Sequence, residues 1–350
     1  MQKSIKIGDR EISQDSPAFI IAELSANHNN DLDLAIESVK AMKECGADAV
    51  KVQTFTPDSM TLDHPSEIFM TRKDSMWAGQ SLYSLYEEGS LPYDWHIKLQ
   101  EVAKDLGLIF FSAPFDKNDV DFLASIDVPA YKIASMEITD IPLIKYVASK
   151  GKPMIISTGI AEVADIDLAV KTCLDAGNDQ VILLKCTSSY PTPYEDAHLN
   201  NIPWIQQNYD CLSGLSDHTL DLFAPITAAS LGAKVIEKHF ILDRSIGSLD
   251  SKFSLDKKDF KEMVDAIRAT EKLKGSQDYM VTEKMKKAYI SSRSIFVIKD
   301  IQAGELFTEE NIKVLRPGYG LHPKHFEGAL GKTASVMLER GTPLSMDHIK

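Results

Sequence analysis

The stretch Pro153-Met154-Ile155-Ile156-Ser157-Thr158-Gly159 is an apolar run that ends in small polar residues, and Val181-Ile182-Leu183-Leu184-Lys185-Cys186-Thr187 repeats the pattern. Between them, residues 163–177 form an amphipathic stretch closing on Gly177, and glycine is the usual residue just past a helix end. Strands that are nearly unbroken apolar runs are buried on both faces, as in parallel sheets. The stretch therefore reads as strand, helix and parallel strand. The alternation continues in both directions. Further candidate strands are 19–25, 49–55, 108–114, 130–135, 211–218 and 235–240, with helix-like stretches at 32–46, 94–107 and 222–232. Eight strand–helix units in about 260 residues predict an α/β fold of the (β/α)8 TIM-barrel type. A doubly wound sheet is the alternative, but no Gly-x-Gly-x-x-Gly turn accompanies the first strand.

The chain has 350 residues, enough at roughly 150 per domain for two domains or for a barrel with an appendage. A last amphipathic helix at 256–275 is followed by a polar stretch and then by short strands and Gly/Pro turns, such as Arg316-Pro317-Gly318-Tyr319-Gly320. The division predicted is a barrel at 1–275, a linker at 276–291 and a small β-rich module at 292–350. A module of that size is marginal alone and gains from docking. The connection 56–92 far exceeds the usual length of about two to six residues. It carries Trp77, Tyr83 and Tyr86, followed by Glu87 and Glu88, and reads as a structural excursion, a substrate lid or a subunit contact.

Composition narrows the function. Hydrophobic residues make up 44% and charged residues 25%, ordinary globular values that exclude a disordered, collagenous or coiled-coil chain. The net charge of −13 argues against a nucleic-acid or anionic-membrane partner, though lysines inside a cleft still suit a small anion. No apolar run approaches the ~18 residues needed to span a bilayer, and the N-terminus has no signal-peptide pattern. The four cysteines, Cys45, Cys173, Cys186 and Cys211, lie far apart and read as small buried side chains of a reduced, cytoplasmic protein.

In a barrel, reactive groups sit at the C-terminal strand ends and in the loops that follow. Those places hold Glu23, Lys51 and Gln53 (two apart, hence on one face), Lys132, Ser135 and Glu137, Ser157, Lys185 to Tyr190, Ser216 to His218, and Glu237 to His239. A buried ionised group without a partner costs several kcal/mol, so Lys51, Lys132 and Lys185 need anions. Either Glu23, Glu137 or Glu237 supplies them, or a phosphate or carboxylate ligand does. Alternation places His239 and Glu237 on the inner face and Lys238 toward the helices. His218 and His239 end neighbouring strands about 4.8 Å apart, so two imidazoles can share a divalent cation of the Mn²⁺, Fe²⁺ or Zn²⁺ type. Asp250, in the loop after the eighth strand, is a polar substrate contact.

Several of these runs resemble the sialic acid (N-acetylneuraminate) synthase family. They are Ile21-Ala22-Glu23-Leu24-Ser25-Ala26-Asn27-His28-Asn29, Gly46-Ala47-Asp48-Ala49-Val50-Lys51-Val52-Gln53-Thr54-Phe55, Lys132-Ile133-Ala134-Ser135-Met136-Glu137, Ser157-Thr158-Gly159, Cys186-Thr187-Ser188-Ser189-Tyr190-Pro191-Thr192-Pro193, Gly214-Leu215-Ser216-Asp217-His218 and Ile236-Glu237-Lys238-His239-Phe240. The tail from Arg293 resembles that family's antifreeze-like (SAF) domain. Within the family, Ser25 to Asn30, Trp77 to Tyr86 and Asp250 to Leu255 are most similar to the pseudaminic acid branch.

The resemblance implies that phosphoenolpyruvate condenses with an open-chain amino sugar, which in that branch is 2,4-diacetamido-2,4,6-trideoxy-L-altrose. N-acetylneuraminate or legionaminate synthesis from a different sugar is the alternative. It further implies that Lys51 and Lys132, with Ser157 and Ser188, clamp phosphate and carboxylate, and that Gln53, Ser135, Tyr190 and Asp250 contact substrate. His218 and His239 would hold a divalent metal, Mn²⁺ foremost with Mg²⁺ or Co²⁺ also suitable, and Glu23 or Glu137 would move the water proton. Ser188 stands where many family members carry Asn. Arg316 resembles the SAF-domain arginine that enters the partner's barrel in a domain-swapped homodimer. A non-catalytic sugar-binding or scaffold protein would have lost the metal histidines or the lysines, and this chain keeps them.

Overall fold

The computed structural model describes every residue except Asp74, Met76 and Gln277. The chain forms two compact units, Met1–Gly275 and Ser276–Lys350. In the first, a hairpin of β1 (Ser4–Ile7) and β2 (Arg10–Ser13) precedes eight strands: β3 (Phe19–Glu23), β4 (Ala49–Thr54), β5 (Ile109–Pro114), β6 (Tyr131–Ile133), β7 (Met154–Ser157), β8 (Val181–Cys186), β9 (Leu212–Asp217) and β10 (Val235–His239). Among the described residues these eight close into a barrel in the order β10-β3-β4-β5-β6-β7-β8-β9, and every neighbouring pair is parallel. The TIM barrel expected from the alternating runs is the fold observed.

The apolar side chains of the barrel gather into two clusters. Ile20, Ala22, Val50, Val52 and Phe110 pack with Ala35, Val39 and Met42 of the helix Leu32–Glu44 and with Phe260, Met263 and Ile267 of the helix Lys257–Lys274. Phe19, Ile21, Ala49 and Phe111 belong to the other cluster, with Tyr131, Ile155 and Ile182. The N-terminal hairpin, which was not among the expected strands, adds Ile5, Ile7 and Ile12 to that second cluster. Toward the C-terminal strand ends the apolar positions give way to Glu23, Lys51, Lys132, Ser157, His218 and His239, all buried. The scaffold is greasy below and charged above.

The long connection contains the short helix Pro57–Met60, the helix Leu82–Gly89 and a bridge between Met70 and Ser81. In the second unit β11 (Ser294–Val297) pairs antiparallel with β12 (Ile312–Leu315). Ile295, Val297, Ile301, Phe307, Ile312, Ala334, Leu338 and Leu344 form its core. The stretch read as a linker carries a helix, Glu283–Ala288, where the sequence suggested only polar connection. Among the described residues no helix is long and apolar enough to cross a membrane.

Candidate active site

Register brings the first charges together. Glu23 lies beside Lys51 across β3 and β4, and beside His239 across β3 and β10. Lys51 Nζ is 2.6 Å from Glu23 Oε2 and 3.7 Å from Glu237 Oε1, and Lys132 Nζ is 3.8 Å from the same Glu237 oxygen. Lys132 also donates to Ser157 Oγ at 2.7 Å and to the Ile133 carbonyl at 3.1 Å. The lysines therefore have carboxylate partners within the fold, the internal pairing that the sequence left open. Two ammonium groups do not hold three carboxylates ionised. Burial pushes Glu23 up to about 7 against the pull of Lys51, and it pushes Glu137 up to about 7 against Lys132. Burial also opposes the charge of Glu237, but Lys132 and Lys51 overcome it and lower its pKa. The site holds one committed carboxylate and two poised near neutrality, the separation of environments that assigns acid–base roles.

Above this cluster opens a cavity of about 290 Å³ whose lining includes Gln53, Ser135, Glu137, Tyr190, His239 and Asp250. Its other walls are apolar, among them Phe55, Met60, Trp77, Leu85, Tyr86 and Phe115. The long connection thus contributes to the cavity, where the sequence offered excursion, lid or subunit contact. The Trp77 indole N–H donates to the Leu249 carbonyl at 3.3 Å, and Tyr190 stacks obliquely on His218 with ring centres 4.3 Å apart. Ser188 and Ser189 line an adjoining chamber beyond Trp77 and Tyr190.

Two hydroxyls converge at Gly159. Gly159 N donates to Ser135 Oγ at 3.1 Å. A Cβ on Gly159 would lie 2.3 Å from Ser188 Oγ and 2.6 Å from Ser135 Oγ, so only glycine leaves the space between them. Among the described residues seven buried side-chain atoms lack a hydrogen bond: Ser188 Oγ, Glu137 Oε2, Glu237 Oε2 and His239 Nδ1 at the mouth, Glu23 Oε2, which is ion-paired with Lys51, and His28 Nε2 and Ser75 Oγ. Buried polar atoms are nearly always paired, so four orphans at one barrel mouth mark a place for a polar ligand.

The histidines suit a metal in their chemistry. Their ring centres are 5.2 Å apart. His218 Nδ1 sits 3.2 Å from the Thr187 carbonyl, so the neutral ring carries its proton on that nitrogen and offers Nε2 as a lone-pair donor, while burial opposes the ring's charge and Cys186 beside it raises its pKa. Burial holds His239 well below the usual imidazole range, so it is neutral, the ligand form. Among the described residues no group of three or more His, Cys, Asp or Glu is gathered for a metal, so water or substrate would complete any coordination shell around the two imidazoles.

One expectation is corrected, and another, the buried and reduced Cys186, holds but is incomplete. Lys185 has no carboxylate partner among the described residues. Its Nζ donates to the Cys186 carbonyl at 2.5 Å and to Thr187 Oγ1 at 2.9 Å, it lines a separate pocket with Val163, Ile166 and Trp204, and burial lowers its pKa. Alternation explains this: Cys186 points inward, so Lys185 points outward. Cys186 is not merely a small buried side chain either. Its Sγ lies 3.8 Å from His218 Nδ1, and although burial opposes ionisation, His218, Ser135 and Lys132 draw the thiol down to about 7. Burial pushes Cys45, Cys173 and Cys211 up, as inert thiols behave. Lys238 faces the helices as expected, paired with Asp217 at 2.5 Å.

Glu237 and Ser216 complete the site; the sequence placed both at strand ends, and Glu237 on the inner face as a possible lysine partner, without giving either a role toward substrate. Ser216 Oγ donates to Glu237 Oε1 at 3.3 Å. Each stands two residues before a site histidine, so the period-two rule that oriented His218 and His239 also points these two inward. Arg316 belongs to the second unit, exposed, directly after β12.

Residues 38–279 match the NeuB family and residues 292–350 the SAF domain. The chain belongs to the NeuB family. It is similar to a pseudaminic acid synthase from Campylobacter jejuni subsp. jejuni serotype O:23/36 (strain 81-176), 47% identical over 330 residues that cover 94% of this chain and 96% of that one. A pseudaminic acid synthase from Helicobacter pylori (strain ATCC 700392 / 26695) is 46% identical over 335 residues, covering 95% and 98%. Among solved structures, the spore coat polysaccharide biosynthesis protein spsE of Bacillus subtilis matches with a TM-score of 0.68 at 36% identity, covering 99% of each chain. For this NeuB family member, both the catalytic barrel and the SAF unit of the relatives are present in order.

Proposed function

We propose that this chain is a pseudaminic acid synthase, a transferase that condenses phosphoenolpyruvate with open-chain 2,4-diacetamido-2,4,6-trideoxy-L-altrose and water, giving pseudaminic acid and phosphate. The observation that carries the reading is the set of unpartnered buried polar atoms, on Ser188, Glu137, Glu237 and His239, beside two buried lysines, in a chain so similar to two pseudaminic acid synthases.

In this reading carbon 3 of phosphoenolpyruvate attacks the sugar aldehyde, forming the carbon–carbon bond while the aldehyde oxygen takes a proton. Water adds at carbon 2, and the tetrahedral species that results loses phosphate by C–O cleavage. Lys132 and Lys51, with the hydroxyls of Ser157, Ser135 and Ser188, hold phosphate and carboxylate, because cationic donors fixed in a dry site stabilise charge at no cost of reorganisation. Holding both reactants in attack geometry supplies much of the rest. Glu137 takes the proton from the attacking water. It lines the cavity with a free oxygen and titrates near neutrality, the range in which a general base works best. Glu23 is occupied with Lys51 and Gln53 and sets their positions. Tyr190, Gln53 and Asp250 face the sugar. His218 and His239 would hold a divalent cation, Mn²⁺ foremost, which when bound supplies Lewis acidity toward a carbonyl oxygen.

The apolar wall of Phe55, Met60, Leu85, Tyr86 and Phe115 supports the 6-deoxy sugar, whose methyl groups it accepts where a hydroxyl would be left unpaired. We further propose that Arg316 enters the barrel of a second copy in a domain-swapped homodimer. Arg316→Ala then raises the sugar KM with the dimer intact, and an unchanged KM removes the role. The four free cysteines suit the reducing cytoplasm.

The test is phosphate release with phosphoenolpyruvate and Mn²⁺, offering the trideoxy-altrose sugar beside N-acetylmannosamine and the 2,4-diacetamido sugar that precedes legionaminate. Turnover of the first alone is expected. Turnover of another sugar instead overturns the specificity and keeps the chemistry, and silence with all three across several divalent metals overturns the activity.

A further inference from the structure

The turn after β3 holds Ser25 with φ of 48°, in the left-handed region that is uncommon for any residue but glycine. Ser25 is buried, so neither exposure nor a loop's freedom accounts for the conformation. Strain of this kind persists where the surroundings fix it, and it concentrates at functional sites. Here the Ser25 hydroxyl is held by two residues of the cavity, Asp250 and Gln53.

The hydroxyl of Ser25 donates to Asp250 Oδ2, which also accepts from Ala26 N at 3.3 Å. A hydroxyl has one hydrogen. With that hydrogen given to a carboxylate, Ser25 Oγ is an acceptor toward its other neighbour, Gln53 Nε2 at 3.1 Å. The second hydrogen of that amide goes to Glu23 Oε1, also at 3.1 Å. Both donors of Gln53 are therefore spent inside the protein, and its carbonyl oxygen is the atom left for the cavity. Asp250 likewise keeps Oδ1, which takes no hydrogen bond among the described residues. Ser25, Gln53 and Asp250 all line the cavity.

We propose that Ser25 is a positioning residue that fixes the hydrogen-bonding polarity of this wall, committing Gln53 and Asp250 to present acceptors only. The wall then selects a ligand that brings N–H or O–H donors to it, as an acetamido N–H does, and rejects an isostere carrying only acceptors. The identity of the ligand as a diacetamido sugar rests on the function proposed above. The wiring of Ser25 does not.

The experiment uses the full chain and whichever sugar the wild type turns over, read as KM, or as Kd by calorimetry if none is turned over. Ser25→Gly removes the hydroxyl and suits the positive φ, so it folds with a melting temperature no lower than wild type. It raises the sugar KM about tenfold, the worth of one misplaced hydrogen bond, with kcat and the phosphoenolpyruvate KM within about twofold. Ser25→Ala, which loses the hydroxyl and keeps the backbone cost, shows the same KM split at a lower melting temperature. The discriminating readout is the same sugar with one acetamido N–H replaced by an ester oxygen. Wild type discriminates against it, and Ser25→Gly discriminates less because the Gln53 amide is free to turn and donate. A sugar KM within twofold of wild type in both variants, or undiminished discrimination against the ester in Ser25→Gly, overturns the proposal. Turnover of a different sugar by the wild type overturns only the function reading.

Discussion

The barrel mouth and the small C-terminal unit handle buried polarity in opposite ways. In the second unit Ser294 and Asn311 are buried and fully served: Ser294 Oγ donates to the Pro317 carbonyl at 2.7 Å and accepts from Gly320 N at 2.9 Å. Asn311 Oδ1 accepts from Thr308 N at 2.7 Å, and its amide donates to the Leu306 carbonyl at 2.9 Å. At the mouth, Glu137, Ser188, Glu237 and His239 each keep a buried atom without a partner. Buried polar groups that only hold structure are nearly always closed, so the concentration of open ones at the mouth marks where a ligand closes them. Within the barrel a related contrast separates Lys238, sealed on its own Asp217 and the Thr219 carbonyl, from Lys132, which is hydrogen-bonded to Ser157 but has only a carboxylate 3.8 Å away that it shares with Lys51.

The largest effect expected is that of Lys132→Met. It removes a cation aimed at the phosphate and lowers kcat/KM for phosphoenolpyruvate by about 10³, the scale of a lost charge-stabilising donor; steady-state phosphate release measures it. Lys238→Met, outside the mouth, instead costs about 3–5 kcal/mol of stability by stranding Asp217, visible in denaturant unfolding. If Lys132→Met loses stability alone and keeps its kcat/KM, the distinction between the two lysines fails.

Glu137→Gln comes next, lowering kcat about 10²-fold with KM retained. The wild type needs Glu137 ionised, so kcat/KM falls below pH 7 through a limb at about 7 that the variant lacks. The sign for stability runs the other way. Because the folded state raises this carboxyl from 4.5 to about 7, its stabilising contribution is full below the unfolded pKa and is lost as pH rises through the folded one. Ligand-free Glu137→Gln therefore gains melting temperature relative to wild type between about pH 5 and 8.

Gly159→Ala is smaller. Its Cβ forces Ser188 and Ser135 apart at the cost of about 1–3 kcal/mol typical of overpacking, seen as a phosphoenolpyruvate KM raised about tenfold with the sugar KM unmoved. Asn311→Ala in the second unit sharpens the contrast from its far side. It costs about 1–2 kcal/mol of stability and leaves kcat/KM within about twofold.

The eight barrel strands were legible because each is a short apolar run closed by polar residues, and the observed bounds fall inside those read. The hairpin was not, since four residues of Ser4–Ile7 give too short an alternation to separate from a polar terminus. At the site, Lys51, Lys132 and His239 followed from strand-end position. Alternation at His239 placed Glu237 inward as well, whereas the inward turn of Ser216 and the outward turn of Lys185 required the same rule to be carried through every strand. Ser25 was beyond reach, because a positive φ at a non-glycine residue and the hydrogen bonds that sustain it are tertiary facts. Cys186 was hidden for a related reason: a thiol near neutrality depends on His218 and Lys132, which lie far away in sequence.

The central claim is that the open polar atoms and lysines of the barrel mouth are a phosphoenolpyruvate site. Calorimetric titration of phosphoenolpyruvate into wild type and Lys132→Met, each with Mn²⁺, tests it directly. The account predicts saturable binding to wild type and at least about a hundredfold weaker binding to the variant. Equal affinities in a folded variant would contradict it.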